Sequence, residues 1–236
     1  MNQAAAFSSR VAAFLAASES VFRKGYLYML SQFAEISLTT WSVLFALILL
    51  GVILSIITRN KRKWTTRMIA NASLCIALSF ILSYIQLYQM PQGGSITLAS
   101  MLPLFMFSYA YGVTPALVVG FAYGLLQFVQ GGWFVHPVQF LLDYPLAFSL
   151  LGFSGVAKKL PDSWGMLLGI PLGVFLRFFC AFLTGVFFWG EGAGTQNVLV
   201  YSAVYNGTYL IPETLICILF ASVPQIRRIV KEISAA

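Results

Sequence analysis

The sequence predicts an all-α, multi-pass membrane protein, and three observations carry that reading. Only 9% of the 236 residues are charged, whereas soluble domains carry about 25%. Apolar residues make up 59% of the chain and the mean hydropathy is +0.85. Apolar segments of about 20 residues, enough to cross a bilayer as a helix, recur along its length. The net charge of +7 calls for no nucleic acid, because most basic residues lie in short loops beside apolar segments, where they set topology. Cys75, Cys180 and Cys217 sit inside apolar runs without metal-ligand spacing and read as buried small residues.

Before the first span, Arg10, Glu19, Arg23, Lys24 and Glu35 are scattered among small and apolar residues, with no uninterrupted apolar core ahead of a cleavage site. This stretch reads either as a helix lying at the membrane interface or as a mobile extension. A first span is expected over 37–58, followed by Arg59, Lys61, Arg62, Lys63 and Arg67, the densest basic cluster in the chain. By the positive-inside rule that loop is cytoplasmic and the N-terminus outside. The next span, 68–89, climbs outward and ends in the turn signal Met90-Pro91-Gln92-Gly93-Gly94. Residues 97–112 go in, tilted, broken or partly re-entrant because the segment is short and contains Pro103. Residues 114–129 come out, 136–157 go in to Lys158-Lys159, 164–189 come out, and 201–223 go in ahead of Arg227, Arg228 and Lys231. Seven spans follow, with the C-terminus cytoplasmic. The spacings Gly120-xxx-Gly124 and Gly165, Gly169, Gly173 predict close helix packing, and Ser73 and Ala77 form a similar small strip.

Topology sorts the polar residues. At or just below the three outward connections lie Trp133, His136, Gln139, Asp143, Tyr144, Trp189, Glu191, Tyr201, Tyr205 and Asn206, while the inner side offers mainly Lys and Arg. Asp143 is about 10 Å into its helix at 1.5 Å per residue. Its spacing places it on one face with His136 and Gln139. An ionisable group at such depth faces a cavity or a partner. It either forms a structural salt bridge, for instance with Arg177, or accepts hydrogen bonds from a ligand amine or neutralises a ligand cation. His136, ahead of Pro137, is either a helix cap or a ligand contact, and one His with one Asp does not complete a metal shell. The aromatics are individually interfacial-belt residues, but clustered about a buried carboxylate they suit a flat heteroaromatic cation through stacking and cation–π attraction. Asn206 adds a donor and an acceptor fit for a heterocycle edge. Arg177 and Glu213 read as an internal ion pair, with Glu213 alternatively flooring the cavity. No P-loop, nucleophile elbow, paired metal ligands or catalytic dyad appears, so neither catalysis nor a cofactor is expected.

Three ordered blocks carry a resemblance. These are Met90-Pro91-Gln92-Gly93-Gly94-Ser95-Ile96-Thr97-Leu98-Ala99-Ser100-Met101-Leu102-Pro103, then 136–148 from His136-Pro137 through Asp143-Tyr144-Pro145 to Phe148, and Tyr201-Ser202-Ala203-Val204-Tyr205-Asn206-Gly207. Together they resemble the thiamine-specific S component of energy-coupling factor (ECF) transporters, the ThiT/YuaJ family, over about 68–232. The resemblance implies a six-helix S-component bundle over 67–236, preceded by an extension (1–66) carrying one extra N-terminal transmembrane helix. It implies thiamine capture from outside, and work with a transmembrane coupling subunit and two cytosolic ATPases. It also implies ligand contacts from Trp133, Asp143, Tyr144, Trp189, Tyr201 and Asn206. Trp189 and Tyr144 would sandwich the thiazolium while Tyr201 and Asn206 read the pyrimidine. The helix bearing Ser73 and Ala77 would pack on the coupling subunit. Three departures stand out. Arg177-Phe178 and Thr184-Gly185 match the family's fifth span, but Ala181 occupies its His position. The first outer loop lacks a tryptophan, with Tyr88 as a substitute, and the first 66 residues are additional. Thiamine therefore leads, with a precursor or analogue such as hydroxymethylpyrimidine as the alternative, and a membrane-embedded enzyme or sensor as a more distant one.

Overall fold

Proline and glycine set the architecture of this chain more than hydrophobic periodicity does. The computed structural model describes residues 64–160 and 162–235, which belong to one compact unit. The expected span 37–58 and the interfacial segment before it lie outside the described residues. Helix α1 (Thr66–Ser83) starts where the Thr65 side chain accepts from the Met68 backbone N–H at 3.2 Å, satisfying one of the donors a helix start leaves open.

The expected span 68–89 stops early. Ser83 turns its hydroxyl to the Phe80 carbonyl and to Gln130 Oε1, and 86–97 become an antiparallel hairpin, β1 (Gln86–Gln89) with β2 (Ser95–Thr97). Gly93 and Gly94 have φ of 89° and 86°, the left-handed region that favours glycine. At Gly94 a side chain would also strike the Tyr209 ring at 2.7 Å.

Pro103 lies in the first turn of α2 (Leu102–Tyr111), which is only 10 residues long. At 1.5 Å per residue that is about 15 Å, too short to cross a bilayer of about 30 Å. The expected span 97–112 is thus a non-helical entry followed by a half-length helix buried nearly throughout. Beyond it come α3 (Val113–Val129), α4 (Pro137–Lys159), α5 (Asp162–Phe188), α6 (Val198–Ser222) and α7 (Pro224–Ala235). Among the described residues, α1, α4, α5 and α6 are long and apolar enough to cross a membrane. The protein is therefore helical and multi-pass, with one small hairpin.

Helix α4 is the axis, with 61% of its span buried against at most 44% for the other three long helices. Both glycine strips found in the sequence close on it. A side chain at Gly120 or Gly124 of α3 would run into the Phe148 and Tyr144 carbonyl oxygens, and one at Gly165, Gly169 or Gly173 of α5 into those of Ala157, Ser154 and Leu151. Small residues on two sides let three backbones approach, as in other bilayer-embedded bundles. Because Gly124 rests on Tyr144 and Pro145, Gly124→Ala is expected to lower stability by about 1–3 kcal/mol through overpacking. At Gly207 an added methyl would meet only Ile211 Cδ1 at 3.6 Å, so Gly207→Ala is the neutral control in a thermal-unfolding comparison.

Within α4 the helix loosens into a π turn at Leu142–Leu146, which contains Pro145. Proline has no N–H to give and its ring crowds the preceding turn; the wider turn accommodates both. Such insertions are frequent at functional sites, and this one carries Asp143 and Tyr144.

Candidate ligand-binding site

A cavity of about 490 Å³ opens at one end of the bundle, beneath the hairpin and between the 130–133 and 189–201 segments. That size is usual for a small-molecule site. Two of the three connections predicted to share one face contribute to its mouth through Gln92 and Trp133, and the third is represented by the residues that flank it, Trp189 and Tyr201. Along α6 the lining runs from Tyr201 to Glu213, about 18 Å at 1.5 Å per residue.

Asp143 lines this cavity and accepts from Gln139 Nε2 at 2.7 Å. The same amide group of Gln139 donates to the Trp133 carbonyl at 3.2 Å, and its oxygen accepts from the Val135 N–H at 3.1 Å. Gln139 thus ties the aspartate to the 133–135 loop and fixes where both point. Tyr144 accepts from the Trp133 N–H at 2.8 Å and packs edge-on against Phe128. Trp133 and Trp189 meet edge-to-face at the mouth, with centroids 5.8 Å apart.

His136 is not among the lining residues. It is buried, its Nδ1 accepts from the Val138 N–H at 3.1 Å, and its ring stacks on Phe188. This geometry fits the cap of the two readings: the first turn of α4 opens at Pro137, so the neighbouring donors need an acceptor from just outside.

Asn206 lines the cavity but looks inward. Its amide N–H groups serve the Ala181 carbonyl at 3.2 Å and the Ser202 carbonyl at 2.9 Å, and its oxygen accepts from the Tyr209 hydroxyl at 2.9 Å. One carbonyl lone pair remains of the donor and acceptor set expected from sequence. Tyr201 donates to Gln92 Oε1 at 2.8 Å. Tyr205 accepts from the Gln92 N–H at 2.8 Å and donates to the Gly93 carbonyl at 3.0 Å. These two tyrosines hold the hairpin tip across the mouth. Tyr205→Phe removes both bonds to the tip, and a several-fold faster ligand release in stopped-flow displacement is expected, since each such bond is worth about 1 kcal/mol.

The expected Arg177–Glu213 ion pair is absent: among the described residues no carboxylate lies within 4.0 Å of Arg177. Its guanidinium sits 4.1 Å from the Phe148 ring centroid and reaches Met101 Sδ. Glu213 instead accepts the Thr97 backbone N–H at 2.5 Å and the Thr97 hydroxyl at 2.6 Å, with the Ser100 hydroxyl at 3.4 Å. The chain leaving the hairpin is irregular and its buried N–H needs an acceptor, which Glu213 supplies. Both residues line the deep end of the cavity. Sequence reasoning also missed Gln92, Tyr123 and Tyr209 as lining residues; Gln92 looked like turn chemistry, and the tyrosines like packing. No group of three or more possible metal ligands occurs among the described residues.

A helical, multi-pass membrane protein with a deep polar and aromatic cavity open at one end is a small-molecule-binding membrane protein by architecture. A family model described as thiamine transporter protein (Thia_YuaJ) matches residues 69–232, and the chain belongs to that family. Thiamine transporter ThiT of Bacillus subtilis (strain 168) is 35% identical over 188 residues, 71% of this chain and 96% of its own length. ThiT of Lacticaseibacillus paracasei is 33% identical over 140 residues, 52% of this chain and 69% of its own. The solved ThiT structure from Listeria monocytogenes superposes with a TM-score of 0.62 at 26% identity, covering 71% of this chain and 96% of that one.

Proposed function

We propose that this chain is a thiamine-capturing S component that presents the vitamin to a separate ATP-driven module, and that it is not itself an enzyme. The observation that carries the reading is the charge and shape of the cavity. Its charged lining is Asp143, Glu213 and Arg177, two carboxylates against one guanidinium, set among Trp133, Tyr144, Trp189 and Tyr201. A formally negative, aromatic-walled cavity suits a flat heteroaromatic cation, and both named relatives are thiamine transporters.

In this account the thiazolium lies between Trp189 and Tyr144 with Trp133 above. Asp143 faces the ligand's cationic and amino groups. Tyr201 and the remaining Asn206 lone pair read the pyrimidine edge, while Gln139 and Tyr205 position the walls and His136 holds the start of α4. The basic residues Lys158 and Lys159 end α4, and Arg227, Arg228 and Lys231 lie beyond the far end of α6, which supports a mouth facing outward and a cytoplasmic C-terminus. Ser73 and Ala77 are exposed beside Leu74 and Ile81 on α1. This outward strip of small and apolar residues suits close docking of the transmembrane coupling subunit, with two cytosolic ATPases completing the system.

Reconstitution tests this reading. Liposomes holding the chain with a coupling subunit and two ATPases should accumulate thiamine unchanged and only with ATP. Concentrative uptake by the chain alone, or recovery of altered thiamine, would overturn it. Ala181 leaves part of the pyrimidine wall without a polar side chain, so hydroxymethylpyrimidine belongs in the same assay as a competitor. If it displaces thiamine at equal concentration, the precursor becomes the substrate.

A further inference from the structure

The side-chain donors that line the cavity from α5 and α6 are spent within the protein, with one exception. The Thr184 and Ser202 hydroxyls donate to the Cys180 and Phe182 carbonyls at 3.0 and 2.7 Å. Tyr201, Tyr205 and Tyr209 donate to Gln92 Oε1, the Gly93 carbonyl and Asn206 Oδ1. Asn206 gives its N–H groups to the Ala181 and Ser202 carbonyls. Among the described residues lining the cavity from these two helices, only Arg177 keeps N–H groups to offer. A guanidinium carries five. One goes to Met101 Sδ, a weak acceptor, and the guanidinium carbon rests 4.1 Å from the Phe148 ring centroid.

A charged side chain at mid-span needs a partner or a cavity before it. Arg177 shares the deep end of the cavity with Glu213. The Glu213 carboxylate lies beyond 4.0 Å and is engaged by Thr97 and Ser100, so it offsets the guanidinium charge without using its N–H groups. Ala181, one turn toward the mouth on the same face of α5, presents only a methyl to the cavity. Asn206 stands across from that position, because its amide reaches the Ala181 carbonyl at 3.2 Å. Its spare carbonyl lone pair and the Arg177 donors therefore come from facing helices at levels about one turn apart.

We infer that Arg177 is a specificity-determining residue of this cavity, donating to a ring nitrogen of the ligand's uncharged heterocycle beside the exocyclic amine that Asn206 accepts. The inference rests on the thiamine-capture reading and deepens it. An aminopyrimidine edge sets a donor, the amine, next to an acceptor, the ring nitrogen. The Asn206 oxygen answers the first, and on α5 and α6 the guanidinium alone answers the second. Such a charge-assisted bond is stronger than a neutral one. The same charge fixes the direction of entry. A cation at the floor repels the thiazolium and admits the neutral ring, which leaves the thiazolium at the level of Asp143 and the two tryptophans.

The test is a cycle crossing protein variants with ligand variants, read by isothermal titration of the full chain in detergent. The ligands are thiamine and its two aminopyridine analogues, each with one pyrimidine ring nitrogen replaced by C–H. Wild type should bind one analogue about thirtyfold more weakly than thiamine, on the usual strength of a hydrogen bond to a charged group. Arg177→Met, similar in length but without donors, should weaken thiamine by the same factor and bind that analogue as wild type does. Arg177→Lys should recover part of the discrimination. A purely structural role beside Phe148 and Met101 would weaken all three ligands alike, and that result would overturn the inference. So would equal binding of thiamine and both analogues by wild type, a result that requires no variant to fold. Discrimination that persists in Arg177→Met would also overturn it, passing the ring nitrogen to another lining donor such as Gln127 of α3. Absence of any thiamine binding by wild type would overturn the thiamine reading and this inference with it, whereas the other outcomes leave that reading standing.

Discussion

Asp143→Ala is expected to weaken thiamine binding by more than a hundredfold while leaving the folded protein intact. Truncating one partner of a desolvated charge pair costs about 3 kcal/mol, which is roughly 150-fold in Kd. Asp143 is held by Gln139 but forms no ion pair within 4.0 Å among the described residues, so its loss strands no protein cation. Asp143→Asn separates charge from shape. The asparagine still fills the π turn and faces Gln139, yet it carries no charge, so most of the loss should remain. Isothermal titration of wild type and both variants reads this directly. Retained affinity in Asp143→Asn would shift the recognition to hydrogen bonding, and retained affinity in both would remove Asp143 from the site.

The second large effect is expected at Trp189. It lines the cavity and meets Trp133 edge-to-face, so one indole steadies the other. Removing an aromatic wall against a cation costs about 2 kcal/mol when the contact is desolvated, or roughly thirtyfold in Kd. Trp189→Ala should show that loss with an increased dissociation rate, while Trp189→Phe keeps a ring and should lose only part of it. Trp133→Ala should have a smaller effect, because Trp133 is 55% exposed at the mouth. Thiamine titration followed by calorimetry keeps the readout independent of the indoles removed. An effect at Trp133 larger than at Trp189 would place the ring of the ligand higher in the mouth than proposed.

These effects rest on features that differ in how legible they were in the sequence. The carboxylate at Asp143 was legible because a bilayer gives an acidic group few places to be. The shared face of Gln139 and Asp143 followed from their four-residue spacing, and the bond between them is what that face allows. Both glycine strips were visible as small residues at regular intervals, although not that they press on the same helix from two sides. The hairpin was not legible, because Ile85, Leu87 and Tyr88 extend the apolar run of α1 and only the turn at 90–94 broke it. The role of Glu213 was hidden for a related reason. A mid-span Arg and Glu on adjacent helices suggest each other, but the irregular chain at Thr97 brought a backbone N–H that competes successfully for the carboxylate. Asn206 offered a full amide on paper, but its donors are taken by the Ala181 carbonyl of α5 and the Ser202 carbonyl one turn back on α6. His136 could be read either as cap or as ligand contact; proline at the next position leaves the first turn of α4 to be capped, and the histidine side chain supplies that acceptor.

The most direct measurement of the central claim is calorimetric titration of the purified wild-type chain with thiamine. The account predicts one site per chain, submicromolar Kd, and binding that does not survive removal of Asp143. Absence of saturable thiamine binding by the folded chain, or binding indifferent to Asp143→Ala, would contradict it.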